Sequence, residues 1–170
     1  MTTLIVCDID GVLLDARGRD HLMPCISVRT SNEAWAAHQN AINDKPDAAF
    51  VQGIDIVNRL YGTAETKLVY LTSRIETAMP GTVRDFTAYG IPPAPIYMRS
   101  VSDEMPPAQY KANRLLEILD DSYYQDIRNV IFIDDHPTNL NEVMKFAKAG
   151  AYPIPVERFL PVLLQPERWV

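Results

Sequence analysis

The stretch Thr3-Leu4-Ile5-Val6-Cys7-Asp8-Ile9-Asp10-Gly11-Val12 carries the reading of the fold. Five residues without a charge, four of them apolar, form a short run suited to a strand buried on both faces. Such strands belong to parallel sheets covered by helices. Two aspartates follow at a spacing of two, so on extended backbone both side chains face one way. Gly11 then permits a sharp exit and a close backbone approach.

Further runs repeat the pattern downstream. Lys67–Leu71, Pro95–Met98 and Asn129–Ile133 read as strands, and Ala151–Val156 as a fifth whose prolines withhold ladder donors. Helical candidates alternate with them at Asn32–Ile42, Ala48–Tyr61, Thr82–Tyr89, Ala108–Leu119 and Thr138–Ala149. Leu115, Leu116 and Leu119 form an apolar stripe for packing on a sheet. Thr138 is the expected N-cap of the last helix, which closes before Gly150. The expectation is an α/β fold with a Rossmann-like parallel sheet flanked by helices on both faces. Residues 1–170 form one domain, with a small cap inserted after the first strand at about 15–46. The proline clusters at 92–95 and 106–107 punctuate loops. The apolar C-terminal RFLPVLLQPERWV is expected to pack back on the body or to meet a partner.

Composition narrows the function. Sixteen basic residues against twenty-two acidic ones give a net charge of −6, which disfavours neutralising the many phosphates of a long nucleic acid. Neither a secretory leader nor a membrane-length apolar run is visible, so the cytoplasm is the expected location. Two cysteines, Cys7 and Cys25, require no disulfide framework, and Cys7 reads as a small core residue.

Three strand ends finish in polar residues: Asp8-Ile9-Asp10-Gly11, Leu71-Thr72-Ser73-Arg74 and Ile133-Asp134-Asp135. In open α/β sheets the functional crevice lies at the carboxyl ends of the strands. Singly, each is an ordinary turn; together they converge on one edge. Two carboxylates about 4 Å apart repel by roughly 4 kcal/mol at an effective dielectric of 20, so four in one crevice call for a cation. Oxygen-only ligands favour Mg²⁺, and the lack of soft ligands disfavours zinc.

The pattern resembles the four motifs of the haloacid dehalogenase (HAD) superfamily of phosphotransferases. D-x-D-G-V at 8–12 comes first, then the run ending in Thr72, then Lys111, then the acidic pair 134–135, over about residues 4 to 155. A closer likeness is to the phosphatase domain of polynucleotide kinase, which acts on nucleic-acid 3′ ends. Gly18-Arg19, Arg74 directly after Thr72-Ser73, and Met98-Arg99 followed by Asp103 and Lys111 carry it. Where that family has an acidic residue four before the lysine, this chain has Pro107.

The resemblance implies a sheet of order 3-2-1-4-5 and a Mg²⁺-dependent phosphohydrolase working through an aspartyl-phosphate. Asp8 is the implied nucleophile, Asp10 the general acid and base, and Lys111 the bridge between nucleophile and phosphate. Thr72 and Ser73 are expected to bind the phosphoryl group, with Arg74, Arg19 and Arg99 as further substrate contacts; for Arg74 a structural ion pair stands as the alternative. Mg²⁺ is assigned to Asp8, the carbonyl of Asp10, and Asp134 or Asp135. The expected substrate is a phosphate ester, either a nucleic-acid 3′ end or a nucleotide. The alternatives are a small-molecule phosphatase (a 5′-nucleotidase or sugar phosphatase) and a non-catalytic interaction module, whose signature would be loss of Asp8. His136 reads as a helix-start residue. Trp35 reads as the anchor of its helix, with lining of the cap as the second reading. Oligomeric state is open.

Overall fold

In the structure, a computed structural model describing residues 2–25, 32–63 and 65–159, the opening apolar run is the middle strand of a sheet. Strands β1 (Thr2–Cys7) and β2 (Leu14–Asp15) are followed by helix α1 (Asn32–Asn40), strand β3 (Ala48–Ala49) and helix α2 (Val51–Tyr61). Then come β4 (Thr66–Ile75), α3 (Met79–Tyr89), β5 (Ile96–Arg99), α4 (Pro107–Asp120), β6 (Ile127–Ile133), α5 (Pro137–Lys148) and β7 (Val156–Phe159). Five strands pair in the order β5-β4-β1-β6-β7, every pair parallel. Counting only these five, that is the expected 3-2-1-4-5.

The two-residue period of β1 divides the core. Leu4 and Val6 pack with Val69, Leu71, Val130 and Phe132 against Tyr110, Leu115 and Leu119 of α4 and Leu140 and Val143 of α5. Ile5 and Cys7 point the other way, with Leu68 and Tyr70, against Ile54 and Val57 of α2 and Phe86 of α3. Helices therefore cover both faces, the arrangement that wholly apolar parallel strands require. No helix among the described residues is long and apolar enough to cross a membrane. Both cysteines are free thiols, Cys7 buried and Cys25 exposed.

Several boundaries differ from the sequence expectation for local reasons. The fifth strand begins at Val156, where it had been expected to end, because Pro153 and Pro155 cannot donate to a ladder; Pro155 instead offers its carbonyl to the Val130 amide at 3.0 Å. Ala48 and Ala49 pair with Asp15 and Leu14 rather than starting a helix. Leu13 O accepts from the Phe50 amide at 2.8 Å, which holds Phe50 extended, and α2 starts after it. Leu116 leaves the stripe and is exposed, while Ile118 joins Leu115 and Leu119 in the core. The N-cap of α5 is His136, whose side chain accepts from the Thr138 amide, with Pro137 at the first helical position. Pro106 stands at the N-cap of α4, without a side-chain cap, and Pro107 at its first helical position. The C-terminal apolar stretch, from residue 160 onward, lies outside the described residues.

Between β2 and β3 run a 3-10 helix (Ala16–Leu22), α1 and a second 3-10 turn (Ala41–Asn43). This segment is sewn to the end of β4 and the start of α3. Gln39 Oε1 accepts from the Ile75 amide at 2.5 Å, Asn43 Oδ1 from the Gly81 amide at 2.9 Å, and Ile42 O from Arg84 Nη2 at 2.7 Å. Gly81 is the point of closest approach: a Cβ there would lie 2.5 Å from Ile42 O and 2.6 Å from its carbonyl carbon.

Gly81→Ala is therefore expected to destabilise the protein by about 1–3 kcal/mol in urea unfolding. The gain of roughly 1 kcal/mol that alanine brings inside a helix loses, because the obstructing atoms are backbone. A variant as stable as the parent would show that this packing is loose.

Candidate active site

The carboxyl ends of β1 and β6 are adjacent, and their aspartates meet there. Asp8 continues β1, its amide donating to Ile133 O at 2.9 Å. Its Oδ1 accepts from the Ile9 amide at 2.8 Å, and its Oδ2 lies 2.6 Å from Lys111 Nζ. The same ammonium donates to Asp134 Oδ2 at 2.7 Å. Lys111 comes from the second turn of α4 and is 1% exposed; Asp134 is 0% exposed. Asp134 is held further by the His136 amide at 2.8 Å and by Asn139 Nδ2 at 3.0 and 3.1 Å. A buried charge is tolerated only when paired and hydrogen-bonded, and here each is.

Asp135 completes the group. Carboxylate oxygens of Asp8, Asp134 and Asp135 all lie within 4.8 Å of one another. Gly11 makes room for Asp135. Its φ is +80°, and a Cβ on it would stand 1.9 Å from Asp135 Oδ2. Burial pushes the Asp8 carboxyl well above the usual carboxylate range; Lys111 opposes this, and Asp134 and Asp135 add to it. Burial alone would lower the Lys111 ammonium, but Asp134 and Asp8 hold it above its ordinary value. A hard, oxygen-only donor set of this kind fits a small divalent cation.

Asp10, expected beside these carboxylates, points its side chain elsewhere. Arg74 Nε and Nη2 donate to Asp10 Oδ2 and Oδ1 at 2.9 and 2.7 Å. Arg74 Nη2 also reaches Asp47 Oδ2 at 2.7 Å, and its Nη1 reaches Thr82 Oγ1 at 2.9 Å. Arg19 donates to both Asp47 oxygens at 2.8 Å and to His38 O at 2.6 Å, with Asp10 Oδ1 at 3.4 Å. Two guanidiniums and two carboxylates thus close a ring in which Arg19, Arg74 and Asp47 are buried. Although burial acts against the Arg74 charge, Asp10 and then Asp47 raise its pKa. Asp47 is itself located by Asp85 Oδ2, which accepts its amide proton at 2.9 Å, and by Tyr89, whose hydroxyl donates to its carbonyl at 2.7 Å.

A cleft of about 660 Å³ opens over this edge. Asp8, Asp10, Asp135, Lys111, Thr72, Ser73, His136 and Asn139 line its polar part, and Met23, Trp35, Pro106, Pro107 and Ala108 its apolar wall. Ser73 Oγ is buried without a hydrogen-bond partner among the described residues, and such unsatisfied buried groups are rare in native structures. Thr72 Oγ1 accepts from the Arg74 amide at 3.2 Å.

Asp8, Asp10, Thr72, Ser73, Lys111 and Asp135 are thus brought to one cleft, with Asp134 beneath them. The three arginines expected to touch substrate are engaged within the protein. Arg74 and Arg19 belong to the ring. Arg99 donates to the Asp103 carbonyl and carboxylate at 3.1 and 3.2 Å and to the Met105 carbonyl, pinning the loop before α4. Trp35 lines the cleft as well as sitting on α1. Sequence reading missed Asn139 and Asp47. Asn139 was within reach, since it lies in the first turn of α5, five residues after Asp134. Asp47 carried no signal, being separated from its partners by 28 and 27 residues.

No protein-family profile and no curated sequence matches the chain. Solved structures do. A chain of the Pnkp1/Rnl/Hen1 RNA repair complex superposes with a TM-score of 0.64 at 18% identity, over 95% of this chain and 44% of that one. In another structure of the Pnkp1/Rnl/Hen1 complex the values are 0.63 and 19%, over 94% and 46%. This chain therefore spans less than half the length of those two. The HAD domain of the effector protein Lem4 from Legionella pneumophila gives 0.57 at 12% identity, over 94% of this chain and 85% of that domain. At such identities the likeness is one of fold: a Rossmann-like parallel sheet flanked by helices, which this chain shares with those structures.

Proposed function

We propose that the protein is a Mg²⁺-dependent phosphohydrolase that forms an aspartyl-phosphate on Asp8 and releases phosphate from a nucleotide or a nucleic-acid 3′ end. The convergence of Asp8, Asp134 and Asp135 on buried Lys111, at the floor of an open cleft, carries this reading. Asp8, the carbonyl of Asp10 and Asp135 would hold the cation. Asp134, with its four hydrogen bonds, would chiefly hold Lys111 in place. When bound, Mg²⁺ supplies positive charge that keeps Asp8 ionised and screens it from the incoming phosphoryl oxygens.

The chain's own residues divide the remaining work. Asp8 attacks phosphorus, and the bond to the leaving oxygen breaks. Lys111 lies against Asp8, where it can bridge to a phosphoryl oxygen, and Ser73 Oγ and the neighbouring backbone offer donors to the others. Asp10 gives the leaving oxygen its proton, then takes one from the water that attacks the aspartyl-phosphate. In the described arrangement the arginine ring stabilises ionised Asp10, which suits the base role. The acid role requires Asp10 to turn from Arg74 toward the leaving group. A small phosphate ester is the second reading, favoured by the engagement of Arg19, Arg74 and Arg99 away from the cleft.

Asp8→Asn is expected to abolish phosphate release while leaving the unfolding transition in place, and to remove the phosphate label trapped on denatured protein during turnover. Release at the parental rate by folded Asp8→Asn protein would sink the mechanism. Chelation should silence turnover and added Mg²⁺ restore it; undiminished activity in metal-free buffer would remove the cation from the scheme. Asp47→Ala leaves two buried guanidiniums with one carboxylate. It is expected to lower stability by about 3–5 kcal/mol in urea unfolding. Like Asp10→Asn, it should slow single turnover of an ester with a poor leaving group far more than that of an activated aryl phosphate. Equal losses on the two esters would separate the ring from the acid step.

A further inference from the structure

One titratable side chain beside the arginine ring takes part neither in the proposed chemistry nor in the hydrogen bonding. His38, on α1, is 7% exposed, and neither of its ring nitrogens has a hydrogen-bond partner among the described residues. Buried polar atoms are nearly always satisfied, and here one imidazole carries two that are not. Asp20 Oδ1 lies 3.9 Å from Nε2, beyond hydrogen-bonding distance. The residue is held by its backbone and its packing instead. Its carbonyl accepts from Arg19 Nη1 at 2.6 Å, and its ring meets Trp35 edge-on with centroids 5.4 Å apart.

Such a place accepts the neutral imidazole and resists the charged one. Burial lowers the His38 pKa from its ordinary value; Arg19 acts in the same direction, and Asp10, Asp20 and Asp47 oppose them. Geometry weakens that opposition. Asp10 and Asp47 already accept from Arg19 and Arg74. The Asp20 side chain is 42% exposed, so water screens its attraction. The other charged groups on α1 and the elements packed against it are exposed: Glu33 on α1, Arg17 and His21 on the 3-10 helix, and Glu76 on the turn after β4.

We propose that His38 is an acid-sensitive latch for the segment between β2 and β3. Neutral, it stays packed, and α1 stays seated against the end of β4 and the start of α3. Once protonated, the imidazolium must reach water; α1 lifts, and the His38 carbonyl leaves Arg19. The sign follows from where the proton binds. The open form takes it up near the ordinary histidine pKa of about 6.5, the closed form only at lower pH. Seating is therefore unaffected above that value and weakens as pH falls below it. The latch is independent of the phosphohydrolase reading, and its test needs no turnover.

Amide hydrogen exchange on the full chain, read by NMR, supplies the test. The Ile75 and Gly81 amides belong to the body and donate to Gln39 Oε1 and Asn43 Oδ1 of the segment, so their protection reports its seating. After correction for the intrinsic pH dependence of exchange, parental protection at both should fall by up to about tenfold between pH 7.5 and 5.5, the limit for one proton taken up by the open form alone. His38→Phe keeps a ring beside Trp35 and cannot take a proton, so the fall should vanish. At pH 7.5 its protection should equal or exceed the parental value, because the imidazole it replaces makes no hydrogen bond. His38→Leu repeats the comparison with a smaller side chain, in case Phe overpacks the site.

A second measurement needs no folded variant beyond assignment. In isotope-labelled protein with its three histidines, the His38 ring resonance should titrate below the ordinary histidine value. A fall in protection of equal size in the parent and both variants would overturn the latch, as would a His38 resonance titrating at or above about pH 6.5. Protection that holds steady or rises in the parent toward pH 5.5 would overturn it too, the rise meaning that protonated His38 closes on Asp20 instead of releasing α1.

Discussion

The site depends on one buried ammonium. Parallel strands side by side bring their carboxyl ends to one edge, and here two of those ends carry aspartates. Left alone, Asp8 and Asp134 would repel at short range in a medium that screens poorly. Lys111 reaches between them from the covering helix layer, bonding Asp8 at 2.6 Å and Asp134 at 2.7 Å. It ties β1, β6 and α4 together at the point where the chemistry is placed. Asn139 and the His136 amide complete the hold on Asp134, so the start of α5 is drawn to the same spot. Asp135 brings its carboxylate to within 4.8 Å of those of Asp8 and Asp134, so the edge presents a hard oxygen donor set to a cation.

A second charge balance lies beside the first and solves a different problem. The segment between β2 and β3 must be held over the sheet edge, yet among its described residues only Ala16 and Ile42 are apolar and buried. Arg19 and Arg74 supply the link, each bridging Asp10 and Asp47. A buried ion-pair ring of this kind is poor evidence for extra stability, because desolvation consumes most of the attraction. Its value is geometric. Four groups fix one another, and one of them, Asp10, stands at the cleft with 31% of its side chain exposed.

Glycine marks both places where the backbone had to come close. At Gly11 the chain turns with φ of +80° and leaves the space that the Asp135 carboxylate fills. At Gly81 the start of α3 meets the backbone of Ile42, which lets the overlying segment settle on the body. The two contacts set the floor of the cleft and the seat of its wall.

How much of this was legible beforehand follows from the range of the interactions. Apolar runs, their two-residue period and the aspartates at their ends are local features, and they sufficed for a parallel sheet and the edge where Asp8, Asp10, Thr72, Asp134 and Asp135 assemble; the order of the strands and the place of Lys111 came from the resemblance to the HAD superfamily. Elements were misjudged where a neighbour in space overrode local preference: Ala48 and Ala49 pair with β2, and the last strand waits until its prolines are past. The partners of Arg19, Arg74 and Arg99 were beyond reading. A long cationic side chain beside a motif looks the same whether it faces substrate or a carboxylate 28 residues away, as Arg19 does with Asp47. The sequence by itself determined the fold and the acidic edge, because hydrophobic periodicity and strand-end placement are written residue by residue. Only the tertiary structure decided which charges are already neutralised within the protein and which surface is left for a ligand, because that depends on distances between segments the chain order does not contain.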